Sequence, residues 1–273
     1  MWDLFPFNNY FLFADREYSA DEMWDLTKAA GYDKLYFSVG RDNPDSWALA
    51  EQIPAQRRRT GLGLAAVYTV VDLTNPDPDG AHTFDELMEF LEPGEVLELA
   101  LTVGWQKDVS DPSHDEEAVA LARRLLPAAK QRGITISFYH HLGFWMEKID
   151  DCVRVARAVD DPAVGVTFCG FHWYCVDRVD LGGKMAEAAP YLKLVNVCGS
   201  RERPEGSDFP LAYTIEPVGE GTFPLEDFIR SLRAVEYSGD VGFQGYKMGG
   251  HPPTTLSQSM AAWRAAEARV GKL

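Results

Sequence analysis

The feature that most constrains this chain is a regular exchange between two hydrophobic periodicities. Short apolar runs of strand length alternate with amphipathic stretches of helical period from one end to the other. Strands are expected near 5–13, 33–39, 61–71, 95–103, 134–141, 163–169, 191–198 and 240–246. Helical patterns fall near 19–30, 44–59, 83–91, 114–132, 145–159, 177–189, 224–235 and 254–270. Start signals sharpen several of them: Ser19 precedes Asp21 and Glu22, Thr83 precedes Asp85 and Glu86, and Ser113 precedes three acidic residues. Gly31, Gly133 and Gly239 stand where helices should stop before the next strand.

Strands joined by helical crossovers pair in parallel, so the alternation specifies an α/β protein. Eight such units close economically into a (β/α)8 TIM barrel, and 273 residues is an ordinary length for one. No Pro/Ser-rich linker or composition break divides the chain, so residues 1–273 are expected to be a single domain. Two connections exceed what a crossover needs: 72–82, and 199–222 with Arg201, Arg203 and Gly206. Both are lid candidates.

The totals exclude some partners. A net charge of -16 opposes nucleic acid and anionic membrane surfaces, both of which reward clustered Lys and Arg. No apolar stretch approaches 18 residues, and the N-terminal residues show no basic region ahead of an apolar run. Cys152, Cys169, Cys175 and Cys198 form no C-x-x-C pair and read as reduced thiols of a cytoplasmic protein. A homo-oligomer is compatible with all of this.

Alternation along each strand picks out the side chains that face the barrel interior. In 134–141 these are Thr135, Ser137, Tyr139 and His141, and in 163–169 they are Gly165, Thr167 and Cys169. In 191–198 they are Leu194, Asn196 and Cys198, and in the last strand Gly242, Gln244 and Tyr246. The C-terminal mouth, where barrel enzymes carry their sites, should therefore present Tyr139, His141, Cys169, Asn196, Gln244 and Tyr246. Glu98 falls inside but low in its strand, so a structural partner such as Lys34 or Lys193 is expected. Asp150 and Asp151, like Glu116 and Glu117, read as solvated helix faces.

The segments Tyr139-His-His-Leu-Gly-Phe-Trp145, Phe168-Cys-Gly-Phe-His-Trp173 and Val241-Gly-Phe-Gln-Gly-Tyr246 resemble the xylose isomerase-like sugar phosphate isomerase/epimerase superfamily. The run from Glu216 to Phe228 supports the same likeness. The resemblance covers most of the chain, is clearest from about Ala118 onward, and implies a TIM barrel acting on sugars. It also implies a divergent branch. Tyr139, Cys169, Asn196 and Gln244 stand where relatives place metal-ligating side chains, and His172 matches a histidine that is not a ligand. Hard divalent ions rely on carboxylate oxygens, which this set lacks, so no cofactor is assigned and a divalent metal stays an option only at substituted ligand positions. A softer zinc site on Cys169, His172 and His141 is the remaining metal option.

His140, His141 and His172 are the candidate proton carriers, since imidazole exchanges a proton with carbon or hydroxyl without a carboxylate. Cys169 reads either as a thiolate beside imidazole or as a small buried side chain. Tyr139, Asn196, Gln244 and Tyr246 are candidates for sugar hydroxyls, Trp105 for an apolar sugar face, and Arg201 for an anionic group. Three functions fit a carbohydrate partner. One is an isomerase or epimerase with histidine-mediated proton transfer. The others are a lyase or hydratase on an oxidised sugar or glycoside, and a non-catalytic sugar-binding subunit.

Overall fold

The structure, a computed structural model, describes residues 2–78, 80–104, 109–176, 178–203 and 213–271. β1 (Leu4–Pro6) is followed by α1 (Asn9–Leu12) and α2 (Ala20–Ala29). β2 (Lys34–Ser38) leads to α3 (Pro44–Ala50) and α4 (Ile53–Thr60), and β3 (Gly63–Asp72) to α5 (Phe84–Met88). β4 (Val96–Thr102) precedes α6 (Asp115–Arg132), and β5 (Thr135–Tyr139) precedes α7 (Ile149–Val159). β6 (Val164–Cys169) runs directly into α8 (Gly170–Val176), then α9 (Leu181–Ala188). β7 (Leu192–Val197), α10 (Leu225–Ala234), β8 (Val241–Phe243) and α11 (Pro252–Val270) complete the series.

All strand pairs are parallel, in the order β1-β8-β7-β6-β5-β4-β3-β2. The ring closes between β1 and β2 through one parallel bridge, Phe7 with Tyr36, and the Asn8 N–H donates to the Tyr36 carbonyl at 2.8 Å. This is a (β/α)8 barrel. Among the described residues no helix is long and apolar enough to cross a membrane.

Aromatic rings fill the barrel interior. Phe7 stacks on Tyr36 with centroids 3.7 Å apart, and Tyr68 meets Tyr36 at 6.2 Å and Tyr139 at 5.3 Å. Gly242 makes room for this packing: a Cβ there would lie 2.4 Å from a ring carbon of Phe5. Outside, β8 presents Val241 and Phe243 to α11, with Phe243 5.7 Å from Trp263.

The cap signals hold in part. Ser19 with Glu22 and Thr83 with Glu86 form capping boxes, and Gly133 ends α6 at a φ of 70°. Ser113 is not the cap of α6; it lies in a 3-10 turn that Asp111 caps at 2.7 Å. The left-handed residue after α10 is Glu236 at φ 54°, so Gly239 is not its stop. The expected strand 5–13 is shorter, because the chain turns after Pro6 into α1. The pattern at 44–59 is two helices, the second begun by Pro54. α8 was not anticipated, its aromatic and β-branched residues being weak helix formers that packing holds in place.

Glu98 is the main departure from expectation inside the barrel. Lys34 pairs with Asp240 at 2.5 Å and Lys193 donates to the Pro162 carbonyl at 2.7 Å, so neither reaches it. Instead the fully buried carboxyl accepts from the Tyr36 and Thr167 hydroxyls, and Thr167 meets Ser137 at 2.8 Å. Asp151 is also no solvated residue; it is buried and bonds Arg154 at 2.7 Å and Ser110 at 2.6 Å.

Burial pushes the Glu98 carboxyl up from 4.5 to about 7, against the two hydroxyl bonds that favour its charged form. The folded chain therefore keeps this proton to higher pH than the unfolded chain, and stability falls as pH rises through that window. Glu98→Gln should abolish this loss. Denaturant titrations from about pH 5 to about pH 8 should show wild type losing roughly 2–3 kcal/mol more than the variant.

Candidate active site

One residue, Leu142, organises the histidines at the mouth through its carbonyl and its N–H. The carbonyl of Leu142, one residue beyond His141, accepts from His141 Nδ1 at 2.9 Å, and the Leu142 N–H donates to His172 Nδ1 at 3.2 Å. A carbonyl only accepts, so His141 carries its proton on Nδ1 and leaves a lone pair on Nε2. His172 is the opposite tautomer, with its proton on a buried Nε2 that has no partner among the described residues. The two rings lie 4.1 Å apart. His140 has both nitrogens engaged by backbone: the Cys169 N–H donates to Nε2 at 2.9 Å, and Nδ1 meets the Glu147 carbonyl at 3.4 Å.

All three imidazoles are held neutral. Desolvation, the first cause in each case, brings His140 and His141 down to about 4 and His172 well below its ordinary value. Backbone acceptors at Glu147 and Leu142 partly oppose this for the first two. The three imidazoles therefore sit below the ordinary histidine range that the sequence alone suggests.

The positions resembling the family's metal ligands contain a hydrogen-bonded chain instead. The Tyr139 hydroxyl donates to Cys169 Sγ at 3.2 Å, and the Cys169 thiol points to Gln244 Oε1 at 3.7 Å. Burial pushes the Cys169 thiol up to about 12 and the Tyr139 hydroxyl well above its usual value, so neither supplies an anion. Asn196 is fully buried on β7, beside Cys169 in register, with its Oδ1 unpartnered among the described residues. Two protonated groups and two amides do not fit a divalent cation. Among the described residues no three His, Cys, Asp or Glu form a group that could hold a metal ion.

Above this layer opens a cavity of ≈ 440 Å³ whose wall includes Tyr139, His141, Gln244 and Tyr246. His140, His172, Cys169 and Asn196 lie beneath the wall and support it. Arg201 is spent on Glu216 at 2.8 Å, within a loop that Gly199, Ser200 and Glu202 bridge back to Glu216, Gly221 and Tyr213. Trp105 and Gly206 lie outside the described residues.

Sequence reading missed one wall residue with a clear chemical use. Asn9, at the start of α1, takes the Gly245 N–H on its Oδ1 at 3.0 Å. Its Nδ2 amide, like the Nε2 amide of Gln244, has no hydrogen bond among the described residues, and both residues line the cavity. Both side chains thus have the oxygen held and the N–H groups presented. Ending the first strand at Pro6 would have placed Asn9 at the mouth; the apolar run through Phe13 concealed it.

The family model for xylose isomerase-like TIM barrels matches residues 24–266. The chain belongs to that family. No curated protein sequence matches it. Among solved structures it is similar to the IolI protein with a zinc atom, with TM-score 0.75, 14% identity and coverage of 99% of each chain. It is similar to an L-ribulose 3-epimerase at TM-score 0.72 and 14% identity, over 100% of this chain and 96% of that one. The 3-keto-D-glucoside 4-epimerase of E. coli follows at 0.67 and 16%, over 97% and 100%. At these identities the family member shares a backbone with its neighbours, and its chemistry has to be argued from its own side chains.

A filled metal site stabilises the folded chain by roughly 2.7 kcal/mol at a hundredfold excess over Kd, several degrees for a chain this long. Chelated protein of this family member should show no such shift with millimolar Mn²⁺ or Mg²⁺ in a thermal melt. Elemental analysis should find neither ion in stoichiometric amount.

Proposed function

We propose that the chain is a sugar isomerase or epimerase in which neutral His141 moves the proton without a metal ion. The observation that carries this reading is the fixed tautomer of His141. The Leu142 carbonyl holds Nδ1–H, leaving the Nε2 lone pair on a residue that walls the mouth cavity. Sugar epimerases among the structural neighbours support the substrate class.

In the proposed step, His141 Nε2 takes the proton from a carbon beside a sugar carbonyl. The C–H electrons form the carbon–carbon double bond, and the carbonyl π electrons move onto its oxygen. That oxygen is received by the amide N–H groups of Asn9 and Gln244, which are already oriented and need no rearrangement as charge develops. Return of the proton to the former carbonyl carbon, while the neighbouring hydroxyl's proton passes to the first oxygen, gives the isomer; delivery of a proton from water to the opposite face of the original carbon gives the epimer. His172 is a positioning residue, packed against His141 and tied to the same residue, Leu142.

Proton NMR in D₂O with ketoses, sugar phosphates and keto-glycosides tests this through exchange of the C–H beside the carbonyl. His141→Ala should slow exchange by roughly 10²–10⁴-fold, and Asn9→Ala or Gln244→Ala by roughly 10²–10³-fold. His172→Phe should cost less and act mainly on kcat. Because the base must be unprotonated, the rate should fall as pH drops toward about 4 and show no histidine limb near neutrality. Full rates in His141→Ala would end the assignment. Sugar binding without exchange on any substrate would make the non-catalytic reading the better one.

A further inference from the structure

Among the described residues six large apolar side chains are exposed: Leu12, Phe13, Val70, Val109, Val179 and Tyr246. Single exposed apolar residues are ordinary, but these are not scattered. Leu12, Phe13, Val70 and Tyr246, at 50%, 40%, 46% and 38% exposure, all wall the same mouth cavity. Phe144 joins them from the β5 loop, stacked on His141 at 4.0 Å. Phe13 and Tyr246 meet edge-on at 5.0 Å, so part of the rim is a fixed aromatic pair.

The wall is thus divided. Asn9, Gln244, His141 and Ser38 supply polar atoms, while the exposed rim is a largely apolar collar, with Lys247 Nζ 5.8 Å from the Phe13 ring and 5.3 Å from the Tyr246 ring. A free sugar has hydroxyls on every carbon but one, and a collar of this kind would leave several of them without partners. Space points the same way. The cavity of ≈ 440 Å³ lies in the range that holds drug-sized ligands, more than one sugar ring fills. Val70 and Phe144 also wall an adjoining cavity of ≈ 300 Å³. The collar surrounds a concavity instead of forming a flat patch, which suits a group that enters over a surface that docks.

From this arrangement we infer that the substrate is a sugar bearing an apolar substituent, a keto-glycoside with an aromatic aglycone. Its sugar ring sits at the polar end, and its aglycone packs against Leu12, Phe13, Val70, Phe144 and Tyr246. The inference rests on the sugar-site reading above and adds a second subsite to it.

Calorimetric titration with matched phenyl and methyl glycosides of glucose, galactose and xylose tests it without requiring turnover. In at least one pair the phenyl glycoside should bind tenfold or more tightly, and Phe13→Ser and Val70→Ser should bring that ratio toward one. Both positions are exposed, so folding should survive, and the wild-type ratio stands as a separate readout. Equal affinities in every pair, absence of binding in every pair, or a ratio unmoved by both substitutions would overturn the inference. So would a dimer in sedimentation that Val70→Ser dissolves, since the collar would then be an interface between copies. A retained ratio with no His141-dependent exchange would sink the isomerase reading alone. Exchange that persists with no ratio would sink the aglycone subsite alone.

Discussion

A single buried carboxyl ties the barrel together across its interior. Glu98 on β4 accepts from Tyr36 on β2 and Thr167 on β6, and Thr167 meets Ser137 on β5. Four strands are thereby joined through side chains as well as through the sheet. This matters most at the seam, where β1 contributes three residues and closure on β2 rests on the Phe7–Tyr36 bridge. Tyr36 serves both: its ring stacks under Phe7 while its hydroxyl is anchored by Glu98. Unpartnered, a carboxyl this deep would be strongly destabilising; bonded and able to keep its proton, it becomes a staple.

The same logic of satisfaction by neighbours runs up to the mouth. Where the family resemblance leads one to expect a cation, Tyr139, Cys169 and Gln244 satisfy one another in sequence. Each is neutral, so the layer carries no charge that a metal would have to balance. The network also aims its end group. With Oε1 turned to Cys169, the amide of Gln244 can offer only N–H outward, and the Gly245 backbone does the same for Asn9. Two donors are thus oriented at the neighbouring ends of β8 and β1, which pair in the sheet.

Much of this was legible in the sequence. Period-two alternation placed Ser137, Tyr139, Thr167, Cys169 and Gln244 inside the barrel, because register on a two-sided strand leaves no intermediate choice. It could not tell height, so His141 reached the cavity wall while Asn196 stayed below it. Nor could it see hydrogen-bond direction. His140 and His141 are neighbours of identical type, yet one has both nitrogens consumed by Cys169 and Glu147 while the other keeps one. Asn9 was hidden because an apolar run continues past the strand it belongs to. Glu98 was assigned lysine partners by charge pairing, but Lys34 and Lys193 find acceptors nearer the barrel's base at Asp240 and Pro162.

The proposed use of neutral His141 as the base sets a condition on the chemistry. A base whose conjugate acid has a pKa of about 4 is always available at neutral pH, but it is intrinsically weak toward carbon acids. Two things offset that weakness. An anion forming beside His141 raises the imidazole's proton affinity as the transfer proceeds, most strongly where water is excluded. A carbonyl already present on the sugar acidifies the neighbouring C–H before the protein contributes anything. The second effect belongs to the substrate, and the proposed site, with two amides assigned to the oxyanion, depends on it. A keto sugar or keto-glycoside therefore suits this pocket better than a closed-ring aldose that the enzyme would first have to open.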